Sequence, residues 1–187
     1  MNVSWHSLME DIEACRRCGL RDGCSRVVPG EGRPDADLMF IGEGPGADED
    51  RLGRPFVGRA GALLTKMIEA MGLTREDVYI CNVVKCRPPH NRQPQPEEIA
   101  ACLPFLRAQT ALVRPRLIVL LGATAGRAVL GPDFRVTRDR GAFVERRGVY
   151  IMPTYHPAAL LRDESLKRPT WEDLKQVRDR LAALPPR

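Results

Sequence analysis

No stretch of this chain approaches the ~20 consecutive apolar residues that a membrane-spanning helix needs, which argues against a membrane protein. The opening segment, Met1 to Asp11, carries charges and lacks the apolar core of a secretion signal, so a cytoplasmic protein is expected. No internal repeat is present, which sets solenoids and propellers aside. Lysine is scarce: Lys66, Lys85, Lys167 and Lys175 are the only four, and the remaining basic charge is arginine. Histidine is scarcer still, with His6, His90 and His156 alone.

What is present suits one soluble domain over residues 1–187, long enough for a sizeable core, with 43% apolar and 28% charged residues. The net charge of +5 permits a polyanionic partner. Arginine suits phosphate forks, although arginine-rich codon usage leaves the same composition. Six cysteines in a reducing compartment point to a metal or cluster before disulfides.

Four short apolar runs read as buried strands: Asp37–Gly42, Val78–Val84, Arg116–Gly122 and Val149–Thr154. Helical patterns separate them. Gly61–Met71 places Leu63, Leu64, Met67, Ile68 and Met71 at three- and four-residue steps. Pro96–Val113 opens on Pro-Glu-Glu, as a helix start favours. Ser4–Arg16, Ala123–Leu130 and Trp171–Leu184 complete the helices, and Pro185–Arg187 reads as a frayed tail. This alternation predicts an α/β fold, a three-layer α/β/α sandwich around a mainly parallel four-stranded sheet. Ligands of such sheets bind outside the carboxyl ends of the strands. Three polar segments, read as loops, would meet at that edge: Gly42–Asp50, Asn82 with the long excursion Lys85–Pro96, and His156–Arg162.

Cys15-Arg16-Arg17-Cys18 has the gap that lets two thiolates face one metal. Cys86 and Cys102 could complete a four-thiolate site only through the fold. Spacing does not separate zinc from a [4Fe–4S] cluster, nor exclude a CxxC clip with Cys86 and Cys102 as buried small hydrophobes. Cys24 is a competing ligand, and Cys81, inside a strand, reads as core. Gly42-x-Gly44-x-x-Ala47 formally fits a dinucleotide fingerprint. However, Pro45 interrupts it, and Asp48, Glu49 and Asp50 stand where a pyrophosphate needs positive potential. No Walker A lysine is present. An acidic turn of this kind is either solvated or suited to activating water.

Together and in this order, the cysteines, Gly42–Asp50, Pro55-Phe56-Val57-Gly58, Asn82 and His156-Pro157-Ala158-Ala159-Leu160-Leu161-Arg162 resemble a family 4 uracil-DNA glycosylase. This is the iron–sulfur branch of that superfamily, and the resemblance runs from about Cys15 to Leu184. It implies a monofunctional hydrolase that flips uracil out of DNA and cleaves its N-glycosidic bond. The implied cofactor is a [4Fe–4S] cluster on Cys15, Cys18, Cys86 and Cys102, tying the N-terminal helix to the excursion after Lys85. The implied partner is uracil-containing DNA, single- or double-stranded, and the implied state is a monomer. In the resemblance Gly42, Glu43 and Gly44 border the base, Phe56 stacks beneath it, Glu49 positions water and Asp50 supports the loop. Asn82 would read uracil O4 and N3–H with one amide, a pattern that cytosine reverses. His156 would donate to uracil O2 as charge builds there. Leu160 is the matching wedge, with Leu161 the adjacent candidate. Arg87 and Arg162 would contact the DNA backbone.

The sequence departs from the pattern at His90, where family members usually carry asparagine. The related X-type enzymes trap themselves covalently on DNA through a histidine in a longer insert, which is absent here. The family 5 enzymes share the cysteines but lack the acid of Glu49. A non-catalytic zinc or iron–sulfur protein that binds nucleic acid is the alternative from another class.

Overall fold

The computed structural model describes residues 4–185. Its centre is a six-stranded sheet in the order β1-β3-β2-β4-β6-β5. The strands are β1 (Glu31–Gly32), β2 (Leu38–Gly42), β3 (Tyr79–Asn82), β4 (Leu117–Leu121), β5 (Val144–Arg146) and β6 (Val149–Thr154). The inner four are parallel, with Gly42 opposite Asn82 and Leu121 opposite Thr154. The outer two, β1 and β5, run antiparallel to β3 and β6. The expectation of four mainly parallel strands is thereby corrected: the sheet is mixed and two strands wider. Both missing strands are short and polar, so neither shows the apolar run that marks a buried strand. The turn between β5 and β6 is Arg147-Gly148, both at positive φ, without the Asn-Gly signal of a two-residue hairpin.

Side-chain alternation along the inner strands builds two apolar cores. Met39, Ile41, Ile118 and Leu120 face one side, where Leu8 and Ile12 of α1 (Trp5–Glu13) meet Phe105 and Leu106 of α5 (Pro96–Val113). Leu38, Phe40, Val119 and Leu121 face the other side. There they meet Leu64 and Ile68 of α4 (Arg59–Ala70) and Leu174 and Val177 of α9 (Lys167–Ala182). Shorter helices fill the connections: α2 (Leu20–Gly23), α3 (Ala47–Leu52), α6 (Ala123–Leu130), α7 (Val136–Asp139) and α8 (Pro157–Arg162). Two of the segments expected to be loops therefore contain helices, α3 after β2 and α8 after β6. The tail is partly tied, because Arg116 donates to the Pro185 carbonyl; Pro186 and Arg187 lie outside the described residues.

No described helix is long and apolar enough to cross a membrane.

Candidate active site

The carboxyl ends of β2, β3, β4 and β6 open onto one cavity of about 620 Å³. Glu43, Gly44, Glu49, Phe56, Asn82, His156 and Arg162 all line it. Residues from separate strand ends thus share a single site, as the strand-end rule requires.

Gly42, at the end of β2, lies outside the lining but sets the approach of two residues within it. A Cβ there would stand 2.4 Å from Asn82 Oδ1 and 2.5 Å from Phe56 Cζ, so only glycine lets these two groups approach. Asn82 ends β3 and is 1% exposed, yet its Oδ1 has no hydrogen-bond partner among the described residues. A buried amide oxygen left unpaired costs about 1–3 kcal/mol, which a ligand N–H would relieve.

Phe56 lies at φ 51°, a conformation costly for a residue with a bulky side chain. Three devices hold it there. Arg75 donates to the Pro55 carbonyl at 2.7 Å and the Phe56 carbonyl at 3.0 Å, and its guanidinium is anchored by Glu31. Glu49 accepts from the Val57 and Gly58 amides, both at 2.8 Å. Gly61 lets α4 approach so closely that a Cβ would stand 1.9 Å from the Phe56 carbonyl carbon. The ring stacks on His156 with centroids 5.6 Å apart and planes at 30°.

His156 caps the start of α8, its Nδ1 accepting from the Ala158 amide at 3.0 Å. That bond places the neutral ring's proton on Nε2. Burial drives the His156 pKa down to about 4, with the Arg162 charge adding to the shift and Glu49 opposing it. The imidazole is therefore neutral at pH 7.

The two acids of the first motif differ. Glu49 is engaged by three backbone amides, the third being Gly46 at 3.1 Å, in the reach-back of a capping box. The Glu43 carboxylate accepts from the Thr124 hydroxyl. Thr124 and Tyr155 also line the cavity and were not anticipated, although Thr124 follows the end of β4, where the strand-end rule directs attention. Asp50 is buried and accepts from the Ser25 and Arg26 amides, tying α3 to the segment after Cys24.

Leu160, the expected wedge, is 2% exposed and packs into the core with α4 and α9. Its neighbour Leu161 is 39% exposed, because successive residues of a helix point about 100° apart. Arg87 lies outside the cavity lining and donates to Asn91 Oδ1 at 2.8 Å. His90 is exposed and also lies outside the lining, while Asn91 is part of it.

A second, small cavity is lined by Cys15, Cys18, Cys86 and Cys102, together with Lys85 and the apolar Ile12, Leu20, Val84 and Phe105. Burial pushes the Cys86 thiol up, and its neighbours Cys24, Cys102 and Cys18 push it further. Burial also raises Cys102, against the pull of the Lys85 charge and the Lys85 peptide N–H. Among the described residues no three His, Cys, Asp or Glu side chains are grouped as ligands of a single ion. Cys81 is wholly buried in β3, as expected.

A protein-family model described as the uracil DNA glycosylase superfamily matches residues 29–175. A type-4 uracil-DNA glycosylase of Thermotoga maritima is 49% identical over 173 residues, covering 90% of each chain. One of Sulfurisphaera tokodaii is 44% identical over 193 residues, covering 98% of this chain and 87% of its own. A type-5 uracil-DNA glycosylase of Pyrobaculum aerophilum is 38% identical over 198 residues, covering 97% of this chain and 85% of its own. With its strand ends, cavity and relatives in agreement, the chain belongs to the uracil DNA glycosylase superfamily, in the type-4 branch.

Proposed function

We propose that this protein is a DNA-repair hydrolase that removes uracil from DNA, leaving an abasic site. The observation that carries this reading is the unpartnered Asn82 Oδ1, buried at the cavity that Phe56 and His156 also line. A uracil ring flipped into that cavity would stack on Phe56 and offer N3–H to the orphaned oxygen and O4 to the amide NH₂. Cytosine offers an acceptor and a donor in the opposite order, leaving two buried groups unpaired. At ~1–3 kcal/mol each, that mismatch supports ~10²-fold discrimination or more.

As the glycosidic bond breaks, the base leaves as an anion with charge on O2. The His156 Nε2–H, fixed by the cap on Nδ1, donates to that oxygen in a site from which much water is excluded. Water then captures the sugar at C1′. Glu49 keeps acceptor capacity beyond its three amide bonds and holds that water. The Glu43 carboxylate, which among the described residues accepts one side-chain hydrogen bond against three amide bonds at Glu49, favours a second reading in which Glu43 holds the water and Glu49 supports the Phe56 turn. Leu161 fills the space the base vacates, and Arg87 and Arg162 contact the DNA backbone. The protein acts as a monomer on single- or double-stranded DNA in the cytoplasm.

The residues around the second cavity fit a [4Fe–4S] cluster: four cysteines among apolar residues, with the cations Arg17, Arg21 and the buried Lys85 beside them and no acid in the lining. Cys15, Cys18, Cys86 and Cys102 would hold it. When bound it supplies folding free energy rather than electrons, since base excision is redox-neutral. It ties α1 to the segment that follows β3.

The test is incubation with a labelled oligonucleotide carrying one U opposite G, alkali cleavage and a gel. The wild type cuts at uracil and not at cytosine. Asn82→Asp loses about 10²-fold on uracil and gains on cytosine below neutral pH, where a protonated carboxyl donates to cytosine N3. Full uracil activity in Asn82→Asp would remove Asn82 as the base reader.

A further inference from the structure

Lys85 is 2% exposed, and the hydrogen bond recorded for its ammonium is to the Asn82 carbonyl, at 2.6 Å. Among the described residues it pairs with no carboxylate. The buried acids Asp50, Glu98 and Asp173 are committed elsewhere, to backbone amides, Arg92 and Arg140. An ammonium has three donors, and a charged group is almost never this deeply buried without a counter-charge. The cavity that Lys85 lines holds two more cations, Arg17 and Arg21, and no carboxylate, which leaves the cysteines as the source of that counter-charge. Lys85 lines the cysteine cavity, and its charge acts on Cys81 and Cys102. Its backbone is fixed on both sides, the carbonyl accepting from the Val28 amide at 2.7 Å and the N–H donating to Cys102.

We propose that Lys85 is a positioning residue that joins the two cavities: its ammonium is held by the negative charge of a thiolate-ligated cluster, and it in turn holds the Asn82 carbonyl. This rests on the cluster reading above. Four cysteine thiolates give such a cluster net negative charge, which supplies what the Lys85 site lacks. Asn82, three residues away, then owes the position of its strand end to the occupant of the cysteine cavity. The cluster thereby bears on uracil recognition without moving an electron.

The experiment uses the iron-loaded protein and its Lys85→Met and Lys85→Gln variants, with iron content, reduction potential and single-turnover excision measured on each. Loss of the cation disfavours the more negative reduced cluster, so the potential shifts to more negative values in both variants. Iron affinity falls about tenfold or more, as with other partners just outside a metal's ligands. Excision slows while the Kd for uracil-containing DNA is unchanged. Wild-type potential and iron retention in Lys85→Met would overturn the proposal even if excision slows. Wild-type protein without iron would overturn both this proposal and the cluster reading. Should neither variant fold, the wild type decides. With only four lysines, ¹⁵N-lysine labelling resolves every ammonium. One of them must exchange slowly with water and be shifted by the paramagnetic cluster; four ordinary, solvent-exposed ammonium signals would overturn the proposal.

Discussion

At the scale of single residues, His156 carries the sharpest consequence for pH. Its folded pKa of about 4 lies below the ordinary value near 6.5, so folding favours the neutral ring. The stability this contributes is complete above about pH 6.5 and is lost as pH falls toward 4, because the unfolded chain binds the proton first. Protonation would also set Nδ1–H against the Ala158 amide and release the cap at α8. The expected single-turnover profile is therefore flat with respect to His156 from pH 5 to 8, with a fall near pH 4. An NMR titration of the imidazole that instead gave a midpoint near 6.5 would refute this assignment. His156→Ala should slow excision ~10²-fold, by analogy with the loss of one oxyanion donor, and leave DNA affinity nearly unchanged.

At the scale of elements, the turn at Phe56 and the helix α8 separate what the residue types announced from what only packing decides. The Phe56 turn is held at positive φ from two sides, so Arg75→Met and Glu49→Gln should both lower Tm and both slow excision. Glu43→Gln, which leaves that turn intact, should slow excision at unchanged Tm if Glu43 holds the water, and leave the rate near wild type if Glu49 does. Thermal melts and single-turnover rates on the three variants distinguish these outcomes. In α8, Leu160→Ala should cost about 2–5 kcal/mol of stability by opening a core cavity. Leu161→Ala should stay within about 0.5 kcal/mol while weakening excision from duplex DNA.

The motif residues themselves were legible because their chemistry is unusual for their places: an asparagine ending an apolar strand, an acid run after another, a histidine before a proline. Their partners were not. A six-residue helix has too few positions to show which leucine faces the core, and nothing in Thr74-Arg75-Glu76-Asp77 marks Arg75 as a support for Phe56. The start of α8 does have a signal in the sequence, since proline following His156 is a helix-start pattern.

At the scale of the whole molecule, the four inner strands and five longer helices follow from apolar periodicity, because burial on both faces leaves continuous apolar runs. The edge strands do not, being two and three residues long and held by their neighbours rather than by propensity. Those unforeseen edges bear on how the molecule meets copies of itself. A parallel sheet ending at β3 and β6 would expose two rows of unpaired amides and carbonyls to any passing chain. Here each row is covered by a strip of the protein's own backbone too short to serve as a template, and each strip bears charge: Glu31 on one side, Glu145 and Arg146 on the other. A single 20.9 kDa species is expected in sedimentation even at high concentration. The two short antiparallel strands would thus act as bumpers, keeping a strongly pairing surface from finding a mate.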